Sequence, residues 1–143
     1  MVRSMTIKPF LEIIDWIWGK KGSKTDPRKI LIVEDDRNDV ELLQLCLHKC
    51  GYGSTVADTA EAARVLIDRN HISVIFVDLR LTFMKGWELI PLIWRKSPNT
   101  LVIVLASNVS DLMKMQSKAG FFVYIQKPPS VEMIRQLFAR LKL

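Results

Sequence analysis

Cysteine is scarce in this chain of 143 residues: two occur, Cys46 and Cys50. No CxxC pair and no Cys/His cluster with zinc spacing is present, which argues against a structural zinc site or a thiol redox motif. Four residues apart in a helical pattern, the two thiols share one helix face and read as packing groups. The sequence also lacks a secretory signal, so a reducing, cytoplasmic setting is expected. Neither GxxxxGK[ST] nor GxGxxG occurs, which excludes the glycine-rich phosphate loops. No internal repeat or low-complexity tract is found. The longest apolar helix near the N-terminus, nine or ten residues around Trp16 and Trp18, is too short to span a bilayer.

What is there is ordinary globular material. Apolar residues make up 49% and charged residues 25%, enough to build one core with a short appendage. The net charge of +6 is concentrated in residues 1–29, where seven Lys/Arg face three acids. The basic balance therefore describes an N-terminal arm, and nucleic-acid binding is not expected from it. In that arm Phe10, Ile13, Ile14, Ile17 and Trp18 recur at helical spacing, with Glu12 and Asp15 opposite, Pro9 at the start and Gly19 at the stop. The division expected is an amphipathic helix with a basic linker over 1–27 and a domain over 28–143. Two uses of the helix stand open: packing on the domain or on a second copy as a homodimer, or a peripheral membrane contact with Lys20, Lys21 and Lys24 facing anionic lipid.

From Lys29 onward strands and helices alternate. Strands are expected at "KILIVE", "STVA", "SVIFVD", "LVIVLA" and "FFVYIQ", and helices at "NDVELLQLCLHKC" (closed by Gly51), "AEAARVLIDR", "GWELIPLIWRK", "SDLMKMQSKAG" and "SVEMIRQLFARLKL". Pro91 is expected near the first turn of its helix. The first, third and fourth strands are near-continuous apolar runs, as a parallel sheet covered on both faces requires. The fold class is α/β, a doubly wound parallel sheet of five strands.

Ligand sites of such sheets lie beyond the C-terminal strand ends. There the sequence sets Glu34, Asp35 and Asp36 after strand one, Asp78 after strand three, Ala106, Ser107 and Asn108 after strand four, and Lys127-Pro128 after strand five. Asp36 reads as a helix cap, with Asp39 favourable in the first turn. The remaining acids repel one another unless a cation sits among them. Oxygen ligands alone suit a hard ion, and Mg²⁺ is the natural one. A carboxylate beside Mg²⁺ can accept a phosphoryl group, with the metal and a lysine offsetting charge. Asp78 is the candidate acceptor.

"ILIVEDD", "VIFVDLRLTFMKGWEL" and "YIQKPPS", in that order and spacing, resemble the receiver domain of two-component response regulators. The resemblance covers about residues 28 to 143 and implies the five-stranded flavodoxin-like (βα)5 architecture. It implies that Glu34 and Asp35 form the acidic pair, with Asp35 a direct Mg²⁺ ligand, that Asp78 is phosphorylated, and that the Arg80 carbonyl completes the metal site. It implies that Gly86 closes the loop after Asp78. Lys127 is implied to sense the phosphoryl group, often with a cis bond to Pro128, and Tyr124 to be the aromatic whose rotamer follows phosphorylation. The implied donor is a histidine kinase or phosphotransfer protein. The implied output is a protein target met through the face of helix four, strand five and helix five. No effector domain is expected, and a signalling switch rather than a turnover enzyme is implied. Three departures stand out: Ala106 where the family carries Thr or Ser, with Ser107 next to it; Thr82 where proline is common; and Arg80, a long cation beside the acceptor. Ala106 motivates an alternative, a receiver-like scaffold or adaptor no longer controlled by phosphate.

Overall fold

The computed structural model describes residues 2–4, 30–81, 86–108, 110–113 and 123–140. The elements are β1 (Val2–Ser4), β2 (Ile30–Val33), α1 (Arg37–Lys49), β3 (Thr55–Ala57), α2 (Ala60–Arg69), β4 (Val74–Asp78), α3 (Gly86–Lys96), β5 (Leu101–Ala106), β6 (Val123–Gln126) and α4 (Val131–Arg140). Five strands, in the order β6-β5-β4-β2-β3, run parallel. This is the α/β architecture that the alternation of elements predicts.

Strand alternation builds two cores, one on each face of the sheet. Leu31, Val33, Ile75, Val77, Val102 and Val104 point to the side covered by α2 and α3. Ile30, Ile32, Val74, Phe76, Ile103 and Ile125 point to the side covered by α1 and α4. Because successive side chains face opposite ways, a strand buried on both faces must be apolar at every position, and β2, β4 and β5 are buried throughout. Such a run leaves no room for a charge until the strand ends.

The helix boundaries follow local chemistry. Asp36 is the N-cap of α1, its Oδ1 accepting from the backbone N–H of Asp39 at 3.0 Å. After α1, Gly51 has φ +90°, a left-handed conformation that glycine enters without a Cβ clash. Thr59 caps α2 in the same way as Asp36 caps α1.

Two expectations meet a different outcome. Pro91 lies in the interior of α3, not in its first turn; its position is exposed, so the carbonyl its ring leaves unbonded can turn to water. A strand, β1, lies at the N-terminus, where no strand is expected. It pairs antiparallel with β6, Arg3 opposite Tyr124, and covers the edge of the parallel sheet. The expected amphipathic helix, the basic linker and most of the helix after β5 fall outside the described residues.

Candidate functional site

The chain runs from β2 outward to β3 and returns past β2 to β4, so the direction of winding reverses between β2 and β4. A crevice opens at the C-terminal ends of such strands, and there the acids gather. Glu34 follows β2 directly, its N–H continuing the ladder to the Ala57 carbonyl at 3.1 Å. It is buried, and its Oε1 accepts from the N–H groups of Asp35 and Asp36, each at 3.1 Å. Asp78 closes β4 and is also buried. Its Oδ1 accepts from the Arg80 N–H at 3.0 Å. One oxygen each of Glu34, Asp35 and Asp78 lie within 4.8 Å of one another.

Lys127, one residue past β6, brings the opposite charge. Its Nζ donates to Glu34 Oε2 at 2.9 Å, Asp39 Oδ2 at 2.8 Å and Asp78 Oδ2 at 3.0 Å. Its backbone N–H donates to the Ala106 carbonyl at 2.8 Å, which holds the lysine at the edge, and the bond to Pro128 is cis. Burial opposes the ammonium charge, but Asp39, Glu34 and Asp78 together outweigh it and raise the Lys127 pKa. The carboxyl of Glu34 moves the other way from a typical acid. Burial first, and then Asp78 beside it, push it from 4.5 up to about 7, against the pull of Lys127 and the Asp36 N–H.

The donor set suits a hard divalent cation: three carboxylates, no nitrogen or sulfur ligand, and oxygens close enough to share one ion. Such an ion would be held by Glu34, Asp35 and Asp78.

The profile of the response regulator receiver domain covers residues 30–139. This chain belongs to the response regulator receiver family. The response regulator protein PilR of Pseudomonas aeruginosa is 30% identical over 113 residues, 78% of this chain and 25% of that protein. A response regulator receiver protein of Anaeromyxobacter sp. (strain Fw109-5) is 27% identical over 111 residues, 77% of this chain and 47% of its own length. The receiver thus spans about a quarter to a half of the length of these curated relatives. Among solved structures, a response regulator from Thermotoga maritima superimposes with a TM-score of 0.69 at 26% identity, covering 85% of this chain and 98% of that one. A response regulator protein from Burkholderia pseudomallei, solved with a phosphorylated aspartic acid, calcium ion and citrate, shares the fold with a TM-score of 0.65 at 23% identity, covering 79% of this chain and 65% of that chain.

The other residues singled out in this receiver fall around the cluster. Tyr124 is buried in β6, in the same core as Ala106 and Leu112. Ala106 is the last residue of β5, buried, with Gln126 as its register partner. Ser107 lies beyond the strand and is exposed. Gly86 is the first residue of α3. Arg80 turns its guanidinium to Asp111, with Nε donating to Oδ2 at 2.7 Å.

Two participants escape sequence reasoning. Asp39 reads there only as a favourable first-turn acid, yet it is one of three carboxylates on Lys127; its spacing from the Asp36 cap was the available signal. Asp111 is a buried acid at a helix start, and nothing local marks its pairing with Arg80 across 31 positions. Among the described residues no helix is long and apolar enough to cross a membrane.

The raised Glu34 pKa has a measurable consequence. Between pH 4.5 and about 7 the folded receiver holds a proton on Glu34 that the unfolded chain has released. Stability from this group is therefore complete below 4.5, declines as pH rises through the window and is gone above about 7. Urea midpoints measured without divalent ions should show this decline, and Glu34→Gln should remove it. Equal slopes in wild type and variant across that window would show that Glu34 titrates normally.

Proposed function

We propose that this receiver is a phosphoacceptor switch, phosphorylated on Asp78 by a histidine kinase or phosphotransfer protein in a Mg²⁺-dependent reaction. The observation that carries the reading is the Lys127 ammonium bonded to Asp78 at a sheet edge that also collects Glu34 and Asp35. An isolated acid would need no such company, since burying clustered carboxylates costs free energy unless charge is returned to them.

In the step proposed, an Asp78 carboxylate oxygen attacks phosphorus of a phosphohistidine. A P–O bond forms, the P–N bond breaks, and its electron pair returns to the imidazole nitrogen. The product is an acyl phosphate, which water later cleaves to inorganic phosphate and the free carboxylate. Mg²⁺ bound by Glu34, Asp35, Asp78 and the Arg80 carbonyl would offset charge on the transferring group. Lys127, freed from Asp78 Oδ2, turns to the phosphoryl oxygens, and the Arg80 N–H keeps the carboxyl oriented. The B. pseudomallei response regulator, solved with a phosphorylated aspartic acid, supports an aspartate acceptor on this fold. The chain would then act as a switch met by a protein target, not as a turnover enzyme.

A second reading is favoured by one observation. Ala106, buried at the end of β5, has no hydroxyl to follow a phosphoryl group. A receiver that serves as an interaction module without phosphate control would tolerate that. Incubation with a small acyl phosphate and Mg²⁺, followed by intact mass, separates the two. A phosphoryl adduct in wild type and none in Asp78→Asn supports the switch; no adduct with any donor or divalent ion supports the module.

A further inference from the structure

Arg80 stands two residues past Asp78, after a bend at Leu79 that follows the end of β4. The Leu79 N–H donates to the Leu105 carbonyl at 3.1 Å and the Leu79 side chain is buried. The Arg80 N–H donates to Asp78 Oδ1 at 3.0 Å, which holds the two residues together at the sheet edge while Leu79 is buried in the core. The Arg80 side chain is 66% exposed, whereas its partner Asp111 is 8% exposed.

Asp111 belongs to the helical turn 110–113, which Asn108 caps through its Oδ1, accepting from the Asp111 N–H at 3.0 Å and the Ser110 hydroxyl at 2.7 Å. In the same turn Leu112 is buried in the core that also holds Ala106 and Tyr124, and Met113 is 66% exposed. The Arg80–Asp111 pair therefore ties the acceptor strand to the start of the element that follows β5, across a strand end that carries no hydroxyl.

We propose that the Arg80 guanidinium exchanges Asp111 for the phosphoryl group on Asp78, and that this exchange carries the switch to residues 110–113 in the role the missing hydroxyl at Ala106 leaves open. The proposal rests on Asp78 being the phosphoacceptor. A phosphoryl group brings a charge of about −1.5 to −2 and three acceptor oxygens, against the single charge of Asp111. A guanidinium binds such a group with two parallel hydrogen bonds. Leaving Asp111 costs Arg80 little desolvation, because its side chain is largely in water. The carboxylate feels the loss more, because it is buried and gives up a cation that balances its charge. The turn relaxes toward solvent in response, shifting Leu112 away from Tyr124 and changing how Met113 is presented to a partner.

Hydrogen exchange of the 110–113 amides, measured with acyl phosphate and Mg²⁺ and compared at equal adduct fraction by intact mass, tests this. Exchange at Leu112 and Met113 should rise on phosphorylation of wild type, lose that rise in Arg80→Ala, and regain part of it in Arg80→Lys. Arg80→Ala should show the raised exchange without any phosphodonor, whereas Asp111→Asn, whose neutral amide needs no cation, should show low exchange with or without one. A full adduct in Arg80→Ala with the rise intact, or an adduct in wild type with no rise, overturns the exchange and leaves the acceptor standing. Absence of an adduct on wild type overturns both.

Discussion

Lys127→Ala should cost the metal-free protein about 3–5 kcal/mol of stability, the range for removing one partner of a buried ion pair. The lysine is the shared cation of Glu34, Asp39 and Asp78, and it is itself mostly buried, at 14% exposure. Without it Glu34 and Asp78 face each other inside the crevice with no positive charge between them. Glu34 can relieve part of the repulsion by holding its proton, since its carboxyl already sits at about 7. The loss should therefore be largest above that pH and smaller at pH 5. Saturating Mg²⁺ should return part of it, because an ion that binds only the folded acids stabilises by mass action. Denaturant titrations of wild type and variant, with and without Mg²⁺, give all four values. A loss below about 1 kcal/mol would place Lys127 among exposed ion pairs.

Phe138→Ala should be about as severe, near 3–5 kcal/mol, the usual range for deleting a buried phenylalanine ring. Phe138 is almost fully buried in α4 and meets Tyr52 edge-on at a centroid distance of 4.7 Å and Phe76 at 6.4 Å. Phe76 lies in β4 two residues before Asp78, so this aromatic group supports the strand that delivers Asp78 to the acidic cluster. Tyr52, on the loop after α1, joins the same cluster, so one ring links α4, β4 and that loop. Phe138→Leu, which keeps much of the volume, should recover most of the loss. Urea unfolding of both variants checks this, and a Phe138→Ala loss within 1 kcal/mol would mean the site collapses around the gap.

The legible parts of this receiver are those where burial dictates composition. β2, β4 and β5 had to be apolar up to their C-terminal ends because helices cover both faces, and their sequences show it. Charges were then confined to the strand ends, which is why Glu34, Asp35, Asp78 and Lys127 stand out in the chain. Asp36 and Gly51 mark helix ends by chemistry that acts over three or four residues. Features decided by long-range partners stayed hidden. The Asp111 carboxylate takes its meaning from Arg80, and Asp39 from Lys127, neither of which is close in sequence. β1 depends on the exposed edge of β6, an edge that no pattern in residues 2–4 announces. Pro91 shows the reverse: a local rule against proline in helix interiors, overridden because the position faces water.

If the cluster at the β2 and β4 ends makes Asp78 the phosphoryl acceptor, no other acid should carry the phosphoryl group. Borohydride reduction of the freshly phosphorylated protein followed by peptide mapping tests it most directly, because reduction of an acyl phosphate converts that aspartate to homoserine. Homoserine is expected at position 78 alone, dependent on Mg²⁺ and sharply diminished in Lys127→Ala. Homoserine at another carboxylate, or equal conversion at 78 without Mg²⁺ and without Lys127, would contradict it.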